Sequence, residues 1–209
     1  MRQELRVLIL TGLISSGCAS GPPPPPPVLD LANRECGTAP DLSLAVDVAL
    51  NPKKRNTVST VVDETTPCVE TPDGLAAYAL YRLPESDNPY VVEIASDPVG
   101  GVMFVPRIRI LDQNGEQLQE VTRDRLVFRD AALSVQRRSR AEDRYVLVMS
   151  DPTLVGKKFS RMSATTDSTT SSTGTVTFMI YSGADKTVDL IFAHNGKIDV
   201  SVWPIEPAK

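Results

Sequence analysis

The sequence predicts an all-β protein, a β-sandwich of jelly-roll type behind an irregular N-terminal extension. Three observations carry this. From about residue 75 onward, short apolar or β-branched segments recur with turn residues between them. Several alternate in character, so that each presents one apolar face. No helical period competes with them outside the first 17 residues.

The elements follow in order. Residues 41–50 (DLSLAVDVAL) fit one short strand or helix, and 57–62 (TVSTVV) is β-branched enough for a strand. Lys53, Lys54 and Arg55 between them suit a solvated loop. Residues 28–72 are otherwise irregular and form the extension; the sandwich is expected over 73–209. Within it, residues 77–83 (AYALYRL) and 90–95 (YVVEIA) are strands. Residues 102–111 (VMFVPRIRIL) alternate from Arg107, and Pro106 points to an edge strand or a bulge. Asp112-Gln113-Asn114-Gly115 is a turn, because Asn-Gly supplies the positive φ of tight hairpins. Residues 117–121, 125–128 and 133–137 are weaker strands, and 144–149 (RYVLVM) and 175–181 (TVTFMIY) strong ones. Residues 187–192 (TVDLIF) and 197–203 (KIDVSVW) flank Ala193-His194-Asn195-Gly196 and predict a terminal hairpin. Residues 163–175 (SATTDSTTSSTGT) are polar and of low complexity, and predict an exposed mobile loop.

The N-terminus predicts export. Arg2 and Arg6 precede a short apolar run, residues 7–14 (VLILTGLI), too short for the ~20 residues a membrane-spanning helix needs. Ser15, Ser16, Gly17 and Cys18 follow. A small residue and Cys after an apolar run resemble the bacterial lipobox, although Ser15 stands where Leu is usual; plain secretion is the alternative. The resemblance implies a signal peptide over 1–17, lipidation of Cys18, and a lipid anchor of several acyl chains. Ala19, where such lipoproteins carry Asp for inner-membrane retention, points to the outer membrane. Pro22–Pro27 form a stiff polyproline spacer of roughly 19 Å, so residues 18–27 make a tether. Cys36 and Cys68 then remain as an even pair, which an oxidising compartment favours as a disulfide; two free buried thiols are the alternative.

Chemistry is sparse. The net charge is −4, so a nucleic-acid partner is not expected. The one histidine, His194, suits an exposed turn. There is no nucleophile motif, phosphate loop or zinc spacing, and no cofactor or metal is expected. Seven arginines fall between Arg123 and Arg144, partly offset by Asp124, Asp130, Glu142 and Asp143. Arg123, Arg125 and Arg129 are candidates for an anionic surface or ligand. Trp203, the sole tryptophan, is a candidate for stacking on a sugar ring and equally for core or rim packing.

The middle of the chain is similar to the maltose operon periplasmic proteins. The matching segments are FVPRIRILDQNGE (104–116), DRLVF (124–128), AEDRYVLVMSD (141–151) and LVGKKF (154–159). In that family, too, a strand with Phe-Xaa-Pro runs into a Leu-Asp turn. The resemblance implies an all-β envelope domain with an accessory role in carbohydrate uptake, and it carries no catalytic residues. The expected function is therefore that of an outer-membrane lipoprotein whose periplasmic sandwich binds a glycan or an envelope protein without catalysis. The alternative is a structural component of an envelope or surface-attachment assembly.

Overall fold

The structure is a computed structural model that describes residues 27–205 except 130 and 173–176, and for residues 161–186 the backbone alone. Cys18 and most of the proline run lie outside the described residues. Fourteen strands appear in chain order: β1 Val46–Asp47, β2 Asn56–Val62, β3 Cys68–Thr71, β4 Gly74–Arg82, β5 Tyr90–Asp97, β6 Val102–Phe104 and β7 Pro106–Leu111; then β8 Gln117–Val121, β9 Val127–Arg129, β10 Ala132–Arg138, β11 Tyr145–Ser150, β12 Lys158–Ser172, β13 Thr177–Ala193 and β14 Gly196–Pro204. The described residues contain no α-helix, only the 3-10 turns Leu42–Leu44 and Arg123–Arg125.

Eight strands make two facing sheets, ordered β2-β14-β5-β10 and β4-β11-β7-β8. Within this set the first strand pairs the last, the second the seventh, the third the sixth, and the fourth the fifth. That nesting is a long hairpin wrapped on itself, which is the jelly roll. The all-β sandwich expected from the pattern is present. β9 extends one sheet, β1 and β3 extend the other, and β6, β12 and β13 form a third, smaller sheet.

Alternation in each strand aims one set of side chains between the sheets. Tyr81, Ile108, Ile110 and Val148 from one sheet meet Ile94, Val135, Ile198 and Val200 from the other, and all are buried. Each such side chain contributes about 1.5–3 kcal/mol by leaving water. β11 carries buried residues on both faces, because Leu42 and Ala45 cover its outer side at Leu147 and Met149.

The segment 28–72 is not an irregular extension. It supplies β1, β2 and β3, and Leu31, Val48 and Val62 enter the core. Residues 41–50 divide into the Leu42–Leu44 turn, capped by the Asp41 carboxylate, and β1, which pairs parallel with β4. The Cys36–Cys68 disulfide is formed and ties this segment to β3.

Three further expectations need correction. Pro106 marks neither an edge nor a bulge. It is the first residue of β7, an interior strand between β11 and β8, and there the chain passes from the third sheet into the sandwich. The terminal hairpin does not exist. β13 pairs with β12 and β6, while β14 pairs with β5 and β2. The turn between them is a corner joining two sheets. Gly196, at φ +148°, lies so close to Phe104 that a Cβ would meet the Phe104 nitrogen at 2.9 Å. Finally, residues 163–172 are backbone of β12, paired with β13 through Ser172↔Thr177, rather than a loop. Thr favours strands, and β13 supplies the ladder partner that composition does not reveal. The expected strands at 175–181 and 187–192 belong to this one long β13, apart from residues 175 and 176, which lie outside the described residues.

Candidate functional site

The outer face of the five-stranded sheet carries the densest arrangement of fixed polar groups. Its strands are apolar inward and polar outward, and the register stacks the outward residues into rows across β10, β5, β14 and β2. One row is Ser134, Ala95, Asp199 and Ser59. The next is Gln136, Glu93, Ser201 and Thr57. At the end stand Arg138, Val91 and Trp203, with Arg55 just before β2. The central rows line a shallow cavity of about 480 Å³.

Each row is internally bonded. Glu93 is buried; its carboxylate accepts from the Arg55 guanidinium and from Gln136 Nε2 at 2.7 Å. Thr57 and Ser201 hydroxyls lie 2.7 Å apart. Arg129 Nη1 donates to Ser134 Oγ at 3.0 Å. Lys197 Nζ lies 2.8 Å from an Asp199 oxygen and 3.3 Å from Asp97 Oδ2. Burial, and then the neighbouring Asp199, raise the Asp97 carboxyl above the usual carboxylate range. Burial also acts against the Asp199 charge, but hydrogen bonds from Lys197, Ser59 and Asp97 outweigh it and hold that carboxyl low. The pair thus keeps a proton on Asp97 more readily than on Asp199.

Of the residues singled out in the sequence, Arg129 and Trp203 both lie on this face, Arg129 at the central cavity and Trp203 at a neighbouring cleft. Trp203 is half-buried, and the Arg55 guanidinium lies 4.6 Å from its ring centroid, a cation–π contact. Arg55 is therefore not simply part of a solvated loop. Arg123 stands apart, over the Phe192 ring at 5.7 Å, and Arg125 is exposed beside an adjoining cleft with Arg138 and Arg140. Sequence reasoning missed Glu93, Asp97, Gln136 and Lys197. The available signal was a charged residue inside an apolar strand, as Glu93 is in YVVEIA.

His194 is not an exposed turn residue. It is half-buried, and its Nδ1 lies 2.7 Å from Ser150 Oγ. Burial lowers its pKa, partly opposed by Asp30, and the ring nitrogen and the Ser150 hydroxyl share one hydrogen bond. Ser150 is fully buried, and its Oγ also accepts the Ala77 N–H at 3.0 Å. The contact joins the corner at Gly196 to β11 and β4. Next to it, Asn195 Oδ1 accepts from Leu29 N at 2.9 Å and Asn195 Nδ2 reaches Pro27 O at 3.3 Å, fixing where the N-terminal segment leaves the sandwich.

Among the described residues, no group of three or more His, Cys, Asp and Glu side chains is arranged to hold a metal ion, and no helix is long and apolar enough to cross a membrane. No family model, curated protein or solved structure matches the chain.

Proposed function

We propose that this chain is an outer-membrane lipoprotein, anchored through Cys18, whose periplasmic sandwich binds a glycan without catalysis on the outer face of the five-stranded sheet. One observation carries the reading. The face offers Gln136, Glu93, Ser201, Thr57 and Asp199 at fixed positions around one cavity, with Trp203 two residues beyond Ser201 along β14. A hydroxyl-rich ligand needs such a mixture of pre-oriented donors and acceptors, with an aromatic body at one end. Because these groups already hold one another, little side-chain freedom is lost when a ligand docks. The resemblance over roughly residues 75–195 supports an accessory role in carbohydrate uptake of the maltodextrin type. Affinity chromatography on immobilised α-glucan tests the reading: the protein should be retarded, and Trp203→Ala with Gln136→Ala should abolish the delay. Passage in the void volume would refute it. For the anchor, Cys18→Ala should move the protein from the membrane fraction to the soluble one; continued membrane association would refute lipidation there.

A second reading has its own support. β12 and β13 pair over fifteen positions, whereas β6 covers only Ile191–Ala193 of β13. A ribbon with free edges suits strand addition by another protein, as a structural component of an envelope assembly would use it. A stable complex captured from solubilised envelopes, lost when residues 161–186 are deleted, would favour this role.

A further inference from the structure

The charge balance of the glycan-binding face goes beyond the type of ligand named above, and it rests on that reading. The carboxylates of the face are matched from within. Glu93 has Arg55, and Lys197 lies within ion-pair distance of both Asp97 and Asp199. What is left over is positive. Lys53, Lys54, Arg138 and Arg140 are exposed, and among the described residues none has a carboxylate within ion-pair distance of its side chain. Asp87 borders the cleft next to Arg138 and Arg140 and pairs with neither.

These cations are placed, not scattered. Lys53 and Lys54 line a cleft of about 650 Å³ together with Trp203, Val91 and Ile205. Arg138 and Arg140 line one of about 350 Å³ on the opposite flank. Both adjoin the central cavity, the first through Arg55 and the second through Gln136. The row Arg138, Val91, Trp203, Arg55 crosses three strand spacings, about 14 Å, so the ligand it suits is a short chain of sugars rather than a single one. Arg138 and Arg140 are also held in place. The bend between them and β11 is pinned by buried Asp143, which accepts from Arg137 Nη1 at 2.7 Å and Arg140 N at 2.8 Å. On a chain of net charge −4, unpaired cations on the two flanks of one face focus a positive potential there.

We infer that the ligand is an acidic oligosaccharide. Its anionic groups meet Lys53 and Lys54 on one flank and Arg138 and Arg140 on the other, and a sugar ring lies against Trp203 and Val91 between them. The test uses the full-length protein in detergent, titrated calorimetrically with oligogalacturonate and with maltoheptaose. Oligogalacturonate should bind about tenfold or more tightly than maltoheptaose at low salt, and the advantage should shrink as salt rises. The double variant Lys53→Glu/Lys54→Glu, and separately Arg138→Glu, should lose that advantage. All three side chains are exposed, and unchanged thermal midpoints verify folding; Gln replaces Glu in any variant that melts early. Equal affinity for both sugars, or an acidic-sugar affinity indifferent to these variants, overturns the inference and leaves the glycan reading standing. Binding of neither sugar overturns both. Phosphatidylglycerol vesicles form a third arm: variant-sensitive binding to vesicles without binding to oligogalacturonate would assign the cations to a lipid surface and overturn the inference.

Discussion

Replacing Gly196 by alanine probes the corner on which the third sheet and the sandwich meet. The perturbation has two parts. First, φ is +148°, a region that residues with a Cβ enter only at a cost of about 1–3 kcal/mol. Second, the new Cβ would stand 2.9 Å from Phe104 N and 3.0 Å from Phe104 Cβ. Phe104 is fully buried and its nitrogen is backbone, so no flexible side chain can swing aside, and overpacking of this kind costs about 1–3 kcal/mol. The unfolded chain, stiffened by alanine, returns up to about 1 kcal/mol. The net loss is about 3 kcal/mol, or about 6–12 °C in melting temperature for a chain of this size. Gly156→Ala is the matched control. Its φ is +82°, and a Cβ there meets nothing within 4 Å, so only the backbone cost of about 1 kcal/mol applies. Urea unfolding of the parent and both variants, at unchanged slope, measures the difference. A Gly196→Ala loss within about 0.5 kcal/mol of the Gly156→Ala loss would refute the close packing of Gly196 on Phe104.

Other predictions follow the same logic. Cys36 and Cys68 are 32 residues apart, so replacing both by serine should lower unfolding free energy by about 4 kcal/mol in the chain-entropy account; denaturant midpoints unaffected by reduction would contradict it. His194 has a folded pKa below its ordinary value, so the unfolded chain binds more protons between the two. The stability it supports is complete above pH ~6.5 and is lost as pH falls through the folded pKa. His194→Gln should flatten that decline in a series of melts, and an identical pH profile would count against it. Asp97 has the opposite sign: its folded pKa is raised, so its ionisation weakens the fold as pH rises past the usual carboxylate range. Asp97→Asn should be the more stable protein at neutral pH and lose that advantage at acid pH, where the parent carboxyl is protonated; a less stable variant at neutral pH would refute the raised Asp97 pKa.

Local pattern made most strands legible and left their partners hidden. Residues 197–203 alternate cleanly, and Ile198, Val200 and Val202 are all fully buried. The pattern shows that this strand has an inner face but not which strand lies beside it. Its neighbours are β2 and β5, far away in sequence, whereas the nearby 187–192 pairs elsewhere. A turn-compatible sequence between two apolar arms suits a corner as well as a hairpin. The Asp112–Gly115 turn was readable because its bonds are local: Asp112 Oδ1 accepts from Asn114 N and Glu116 N, and Gly115 takes φ +83°. The polar face was half legible. Alternation within KIDVSVW turns Asp199 and Ser201 away from the core, but Glu93 and Gln136 join them only through registers spanning more than forty residues. His194 was misread because the bond that defines it comes from Ser150, on another sheet.

The pairing of the first sandwich strand with the last bears on the order in which the molecule can fold. β2 lies beside β14, and Thr57 and Ser201, which touch through their hydroxyls, are 144 residues apart. Closing such a loop carries a large entropic cost before any contact rewards it. A chain delivered N-terminus first across a membrane, as proposed here, therefore holds β2 and β5 without their shared neighbour until β14 arrives. The sheet that carries the candidate site is completed last, with β14 inserted between two strands already waiting. Closure of the sandwich before β14 is made is disfavoured by the same topology, so the fold would help keep an exported chain threadable until that strand emerges.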